Sequence, residues 1–174
     1  MKIVCITNAH NTFVPMGDMI IYVGNFTTDI ESFFEWFVSL PHRHKIVVPG
    51  EHEMTLCNEF KRNVELMNNA RYKIGLERSI KNSLNKINYA RSVIIKYSHQ
   101  VHFLVDRSIV INGFKIYGTP GYTNRWNDIP NDIDILITLI SSTGHRHLRD
   151  RMAIVKPRLH IFLDAWGGVV MHAL

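Results

Sequence analysis

An α/β sandwich of mixed sheets is the fold class that this sequence predicts, and three observations carry it. Short β-branched or aromatic runs bounded by turn residues alternate with stretches of helical apolar spacing. One Asn-Gly pair, Asn112-Gly113, stands between the apolar runs Ile109-Val-Ile111 and Phe114-Lys-Ile-Tyr117, which is the strongest hairpin signal in the chain. The 174 residues, 46% of them hydrophobic, suffice for one globular domain over residues 1–174 with a sizeable core. No internal repeat, low-complexity tract or linker divides it. Alternating strands and helices with a single hairpin imply mixed sheets flanked by helices.

Strands are expected near 2–7, 19–24, 45–48, 101–105, 109–118, 133–139 and 159–163. Between the second and third, Asp29 can cap a helix over Ile30, Phe33, Phe34 and Phe37 that stops at Leu40-Pro41. A further polar–apolar run begins at Asn58 or Glu59. Farther on, Ile80, Leu84, Ile87 and Ile94 follow helical spacing, with Lys81, Lys86, Arg91 and Lys96 recurring beside them.

Those cations belong to a formal net charge of +5, which raises nucleic-acid binding as a function class. Their spacing reads instead as the wet face of an amphipathic helix, and no aromatic-rich RNA signature accompanies them. A nucleic-acid module would bind DNA or RNA with steep salt dependence, the property that separates it from the other readings. The two cysteines, Cys5 and Cys57, form no framework of paired spacings, so a reducing compartment is expected. Lys2-Ile-Val-Cys-Ile6 is too short for a signal-peptide core or a membrane span, which points to a cytoplasmic protein without a membrane role.

The chemistry-bearing positions lie at the ends of apolar runs. Ile-Thr-Asn8-Ala-His10 follows the first strand, and Gly24-Asn25-Phe26-Thr27 the second. Trp36 to Leu40-Pro41-His42 and Lys45-Ile-Val-Val-Pro-Gly-Glu51-His52-Glu53 come next. Gly113-Phe-Lys-Ile-Tyr-Gly118-Thr-Pro120, Trp126-Asn-Asp-Ile-Pro130, Asp134-Ile-Leu-Ile-Thr138 and Lys156-Pro-Arg-Leu-His160-Ile-Phe162 complete the order. In this order the pieces resemble the MPPED branch of the calcineurin-like metallophosphoesterases. The resemblance covers most of the chain outside the stretch from Lys61 to Lys96. It implies a calcineurin-like phosphoesterase sandwich, here lacking the last strands of the family.

It also implies a chemistry. Family members hold two divalent cations, which act on a phosphodiester through metal-bound hydroxide while a histidine assists the leaving oxygen. Two cations about 3.5–4 Å apart need anionic ligands to offset their repulsion. By the resemblance, Asn8 stands where a metal-binding Asp belongs and Asn25 where the bridging Asp belongs. Glu51 replaces a ligating Asn, and Leu139 replaces a ligating His. Asp164 and Trp166 take the two imidazole positions of a final Gly-His-x-His loop. His10 is the retained ligand, and His52 the vestigial leaving-group histidine.

Two readings follow from that set. One is a pseudoenzyme that binds phosphate, a nucleotide or a protein partner without turnover. The other is a residual phosphodiesterase or phosphatase with one Mn, Mg, Zn or Ni ion on His10, Glu51 and Asp164. The literal Gly144-His145-Arg146-His147 lies too early for the missing loop and reads as a surface loop. His42, His44, His99, His102, His160 and His172 read as surface or packing residues, and Glu53 as a structural neighbour of His52. The loop Gly121-Tyr-Thr-Asn124 is shorter than the family's aromatic insertion. The chain end soon after Val169-Val-Met171 leaves a strand edge for homodimerisation, or else marks decay.

Overall fold

The computed structural model describes residues 1–26, 29–50, 73–121, 126–164 and 168–173. Four strands form the first sheet in the order β1 (Ile3–Ile6), β2 (Met19–Gly24), β3 (His44–Pro49) and β4 (His102–Phe103), all parallel. The second sheet runs β5 (Arg107–Ile111), β6 (Phe114–Thr119), β7 (Ile135–Thr138), β8 (Leu159–Leu163) and β9 (Val169–Ala173). Its three middle strands are parallel, and each outer strand is antiparallel to its neighbour. This is the mixed α/β sandwich that the sequence predicts.

Alternation along each strand sorts side chains into layers. Met19, Ile21 and Val23 of β2 and Ile46 and Val48 of β3 face Ile116, Ile135, Ile137 and Ile161 of the second sheet, making the core between the sheets. Ile20, Tyr22 and Val47 point the other way, onto α1 (Ile30–Ser39) and α2 (Lys73–Tyr97). Behind the second sheet, Tyr117 and Leu136 meet Trp126 of a 3-10 turn (Trp126–Asp128) and Leu148, Met152 and Val155 of α3 (Arg146–Val155). Because both faces of β2 and β3 are covered, β2 is apolar from Met19 to Val23 and β3 from Ile46 to Val48, as buried parallel strands tend to be.

The caps of α1 follow the expectation. Asp29 accepts from the backbone N–H of Glu31 and Ser32, each at 3.1 Å, and Leu40 ends the helix in an extended conformation. The hairpin is also as expected, with Asn112 at φ +50° and Gly113 at φ +81°, the left-handed pair that a two-residue turn requires.

Other expectations need correction. The strand foreseen over 101–105 is only His102–Phe103, because Val101 and Leu104 turn into separate cores at either end. On α2 the buried residues among those described are Ile87, Val93 and Tyr97, whereas Leu84 is 37% exposed. Lys81, Lys86, Arg91 and Lys96 are exposed, as a solvated face requires. Lys96 donates to Glu31 of α1 at 2.6 Å, and the Tyr89 hydroxyl donates to the same carboxylate at 3.1 Å, which ties the two helices together. Gly144-His145-Arg146-His147 does not form a loop: His145 is the N-cap of α3 and His147 lies in its first turn. The run expected from Asn58 or Glu59 lies outside the described residues.

Candidate functional site

The carboxyl ends of β1, β2, β3 and β8 meet at one junction between the sheets. A Cβ built on Gly24 would stand 2.8 Å from Thr7 Oγ1 and 3.4 Å from Leu163 Cδ1, so the tips of β1, β2 and β8 touch there. A Cβ on Gly50, just past β3, would strike Asn25 and come 2.6 Å from the carbonyl carbon of Gly24. Crevices at the carboxyl ends of parallel strands are where α/β folds place ligands. The loops that sequence order brings into register are therefore neighbours in space.

Gly50 is the close approach that allows this. The contacts a Cβ would make are mostly backbone, which cannot rotate away. Gly50→Ala is expected to cost about 2 kcal/mol or more, in the upper part of the overpacking range, read as a lowered urea midpoint. A loss below about 0.5 kcal/mol would show that the tips are not packed this way.

Individual side chains at the junction follow their local backbone. Asn8 has φ +48° and Asn11 φ +55°, left-handed positions that Asn and Asp tolerate better than other side-chain-bearing residues. Asn25 is half-buried, and its carbonyl accepts from the Tyr22 hydroxyl at 2.6 Å, which fixes the turn after β2 to its own strand. Thr7 Oγ1 is buried without a hydrogen-bond partner.

His10 packs beside α1. Its Nε2 lies 3.3 Å from the Ser32 carbonyl, and its ring meets Trp36 edge-on at 5.3 Å. A carbonyl can only accept, so Nε2 donates in this contact and the ring's lone pair is on Nδ1. Asp164, beside Leu163, accepts from the Gly168 N–H at 2.6 Å while its own N–H donates to the Gly168 carbonyl at 2.8 Å. That carboxylate closes the turn between β8 and β9.

Leu139 follows β7 and is packed into the core between the sheets. Before it, the Thr138 hydroxyl donates to the Ile140 carbonyl at 2.6 Å and meets His160 Nε2 at 2.8 Å. Sequence reading gave His160 no specific role; it is fully buried, and burial, with His172 opposite, pushes its imidazole down to about 4. An imidazole in a β-strand two residues before the expected loop was the available signal. Glu51, His52, Glu53 and Trp166 lie outside the described residues.

Among the described residues, no three His, Cys, Asp or Glu side chains converge as a metal site. The described residues that meet at the junction are Thr7, Asn25 and Leu163. No helix among the described residues is long and apolar enough to cross a membrane.

No protein-family model matches the chain. Metallophosphoesterase domain-containing protein 1 of Homo sapiens and that of Mus musculus are each 28% identical to it over 200 residues, covering 92% of this chain and 59% of the relative. A UPF0046 protein of Caenorhabditis elegans is 30% identical over 205 residues, covering 93% of this chain and 67% of that protein. The chain belongs to the metallophosphoesterase family. Its two-sheet sandwich is consistent with the calcineurin-like form of that family, whose members use divalent metals. This metallophosphoesterase chain spans 59% of the length of its human and mouse relatives.

Proposed function

We propose that this metallophosphoesterase-family chain acts by binding rather than by hydrolysis, and that its strand-end junction takes a phosphate-bearing small molecule such as a nucleotide. The observation that supports the reading is the meeting at the junction of Asn25 and the unpartnered Thr7 hydroxyl, with Asn25 at a position where the resemblance implies a carboxylate. A carboxylate can hold a cation but repels a phosphate. An amide of the same shape offers two N–H donors and no charge. Exchanging Asp for Asn at positions 8 and 25 therefore turns a surface suited to metal into one that can meet phosphate oxygens directly. His52 would stand beside that ligand as a binding group.

The alternative is a remodelled site with one cation on His10, Glu51 and Asp164. Two of its three groups have other engagements, at the Ser32 carbonyl and the Gly168 N–H. A cation there would be met by His10 Nδ1 and the further lone pairs of the Asp164 carboxylate.

The test begins with purified protein freed of metal by chelator. Nucleoside monophosphates are expected to raise its melting temperature in a saturable way without added metal. With Mn, Ni, Mg or Zn salts, turnover of cyclic nucleotides and of an aryl phosphodiester is expected to stay at the buffer rate. Metal-dependent turnover that vanishes in His52→Ala would falsify the binding reading and favour the one-metal site. The double change Asn8→Asp with Asn25→Asp is expected to restore no activity, because Leu139 still denies a ligand. Strong turnover from that variant would show that the later positions were assigned wrongly.

A further inference from the structure

Open sheet edges invite pairing with another chain, and folds that stay single blunt them with charge, proline, shortness or a bulge. Among the described residues, β1, β4, β5 and β9 stand at sheet edges. β4 is two residues long, β5 opens on the exposed Arg107, and β1 has no exposed residue. β9 has none of these safeguards. Its residues, Val169-Val-Met-His-Ala173, include no Lys, Arg, Asp, Glu or Pro, its register with β8 is unbroken, and Met171, His172 and Ala173 are exposed.

The backbone of β9 favours one partner in particular. The Asp164 N–H donates to the Gly168 carbonyl at 2.8 Å, which sets the phase of the antiparallel ladder with β8. From there the pairs Phe162–Val170 and His160–His172 exchange hydrogen bonds, and the alternate pairs Leu163–Val169, Ile161–Met171 and Leu159–Ala173 do not. Val169, Met171 and Ala173 therefore turn their N–H and C=O groups to the open edge. This set is symmetric about Met171. The side chains continue the pattern: Met171 meets Cys5 of β1 with sulfur atoms 3.6 Å apart, and Val169 packs against the core between the sheets, so the inner apolar layer reaches this edge.

We propose that β9 is an interface for a second copy of this chain, pairing antiparallel with its own β9 about a two-fold axis through Met171. In that register Val169 faces Ala173 of the second copy and Met171 faces Met171 of the second copy. Every outward N–H and C=O then finds a partner, about six hydrogen bonds in all. A shift of two residues leaves one outward residue of each copy unpaired, which is why the axis falls at Met171. On the outer face Val170 lies opposite His172 of the second copy, so the two imidazoles do not face each other. No charge along the edge opposes the approach, and the inner apolar layer continues from one Met171 to the other. A pair of strands this short is smaller than the roughly 1,200–2,000 Å² of a standard interface, so the association is reversible and in the micromolar range. The inference concerns the open edge and does not rest on how the strand-end junction is read.

Sedimentation velocity of the full chain from about 1 to 300 μM, a range that brackets such an affinity, tests it. The mass should rise with concentration from the 20.2 kDa of one copy toward twice that value. Met171→Lys places two ammonium groups opposite each other and should weaken the association at least about tenfold, and Met171→Glu should do the same with two carboxylates. Mixed in equal amounts, the two variants should associate again to within about threefold of the parent affinity, because lysine then faces glutamate. Met171 is 54% exposed, and recovery on mixing shows that each variant is folded. A mass that stays at one copy throughout overturns the proposal and leaves the edge to an extended segment of another protein. A dimer that both variants leave unchanged also overturns it, since another face then makes the contact. Dissociation by both variants without recovery on mixing overturns the two-fold register.

Discussion

Phe33→Ala is expected to remove about 3–5 kcal/mol of stability. Phe33 is fully buried on the helical side of the first sheet. Its ring stacks on Phe26 at 4.2 Å and on Phe37 at 5.4 Å, and meets Tyr22 edge-on at 4.7 Å and Phe34 edge-on at 5.4 Å. Deleting it opens a cavity and breaks these four aromatic pairs and a tilted one with Trp36 at 6.0 Å, each worth about 0.5–1.5 kcal/mol beyond the area it buries. A truncation of equal size at Phe13, 92% exposed, supplies the control and should change stability by no more than about 0.5 kcal/mol. Urea midpoints at constant slope measure both. A loss below about 1 kcal/mol for Phe33→Ala would mean that the helix packs on the sheet by other residues. The consequence reaches the junction, because α1 also carries the Ser32 carbonyl and Trp36 that hold His10.

That helix was legible from sequence because every local signal agreed. Asp29 could cap it, Phe33, Phe34 and Phe37 shared a face, and Leu40-Pro41 had to stop it. The hairpin was legible for the same reason, since few dipeptides other than Asn-Gly suit its turn. α3 gave a weaker signal. Leu148, Met152 and Val155 do recur at helical spacing, but His145 is a poor cap, and Lys156 closes the helix in a left-handed conformation at φ +49° where glycine is usual. β9 was obscured differently. Its burial pattern carries no alternation, and its pairing depends on the Asp164–Gly168 turn, a tertiary contact that composition does not announce.

The site divides along a similar line. Order along the chain was enough to say that the loops after β1, β2, β3 and β8 share one end of the sandwich, because parallel strands place their carboxyl ends together. Side-chain direction was not available from order. His10 turns to α1 because the positive-φ backbone at Asn8 and Asn11 reverses the chain on either side of it, and Trp36 offers a face for its ring. Asp164 is drawn into its own turn by the backbone N–H of Gly168, four residues on. A ligand position can thus be aligned while its donor atom faces another partner.

His160 sets a pH limit on the second sheet, and acidification is expected to cost the chain about 3 kcal/mol through this residue alone. The Thr138 hydroxyl proton goes to the Ile140 carbonyl, so the contact with His160 requires Nε2 to carry the ring proton. Nδ1 is then a bare acceptor, buried and without a partner. Protonating it would place a charge and an unpaired N–H where no acceptor waits, which is why burial, aided by His172, holds the group down to about 4 from the ordinary 6.5. The folded-state value lies below the unfolded one, so the unfolded chain binds the proton first. Stability is therefore complete above about pH 6.5 and declines as pH falls toward 4, below which this contribution is flat. Urea midpoints at neutral and acidic pH, compared between the parent chain and His160→Phe, isolate the effect, because His102 and the carboxylates titrate in both. An equal slope in the two proteins would sink the assignment.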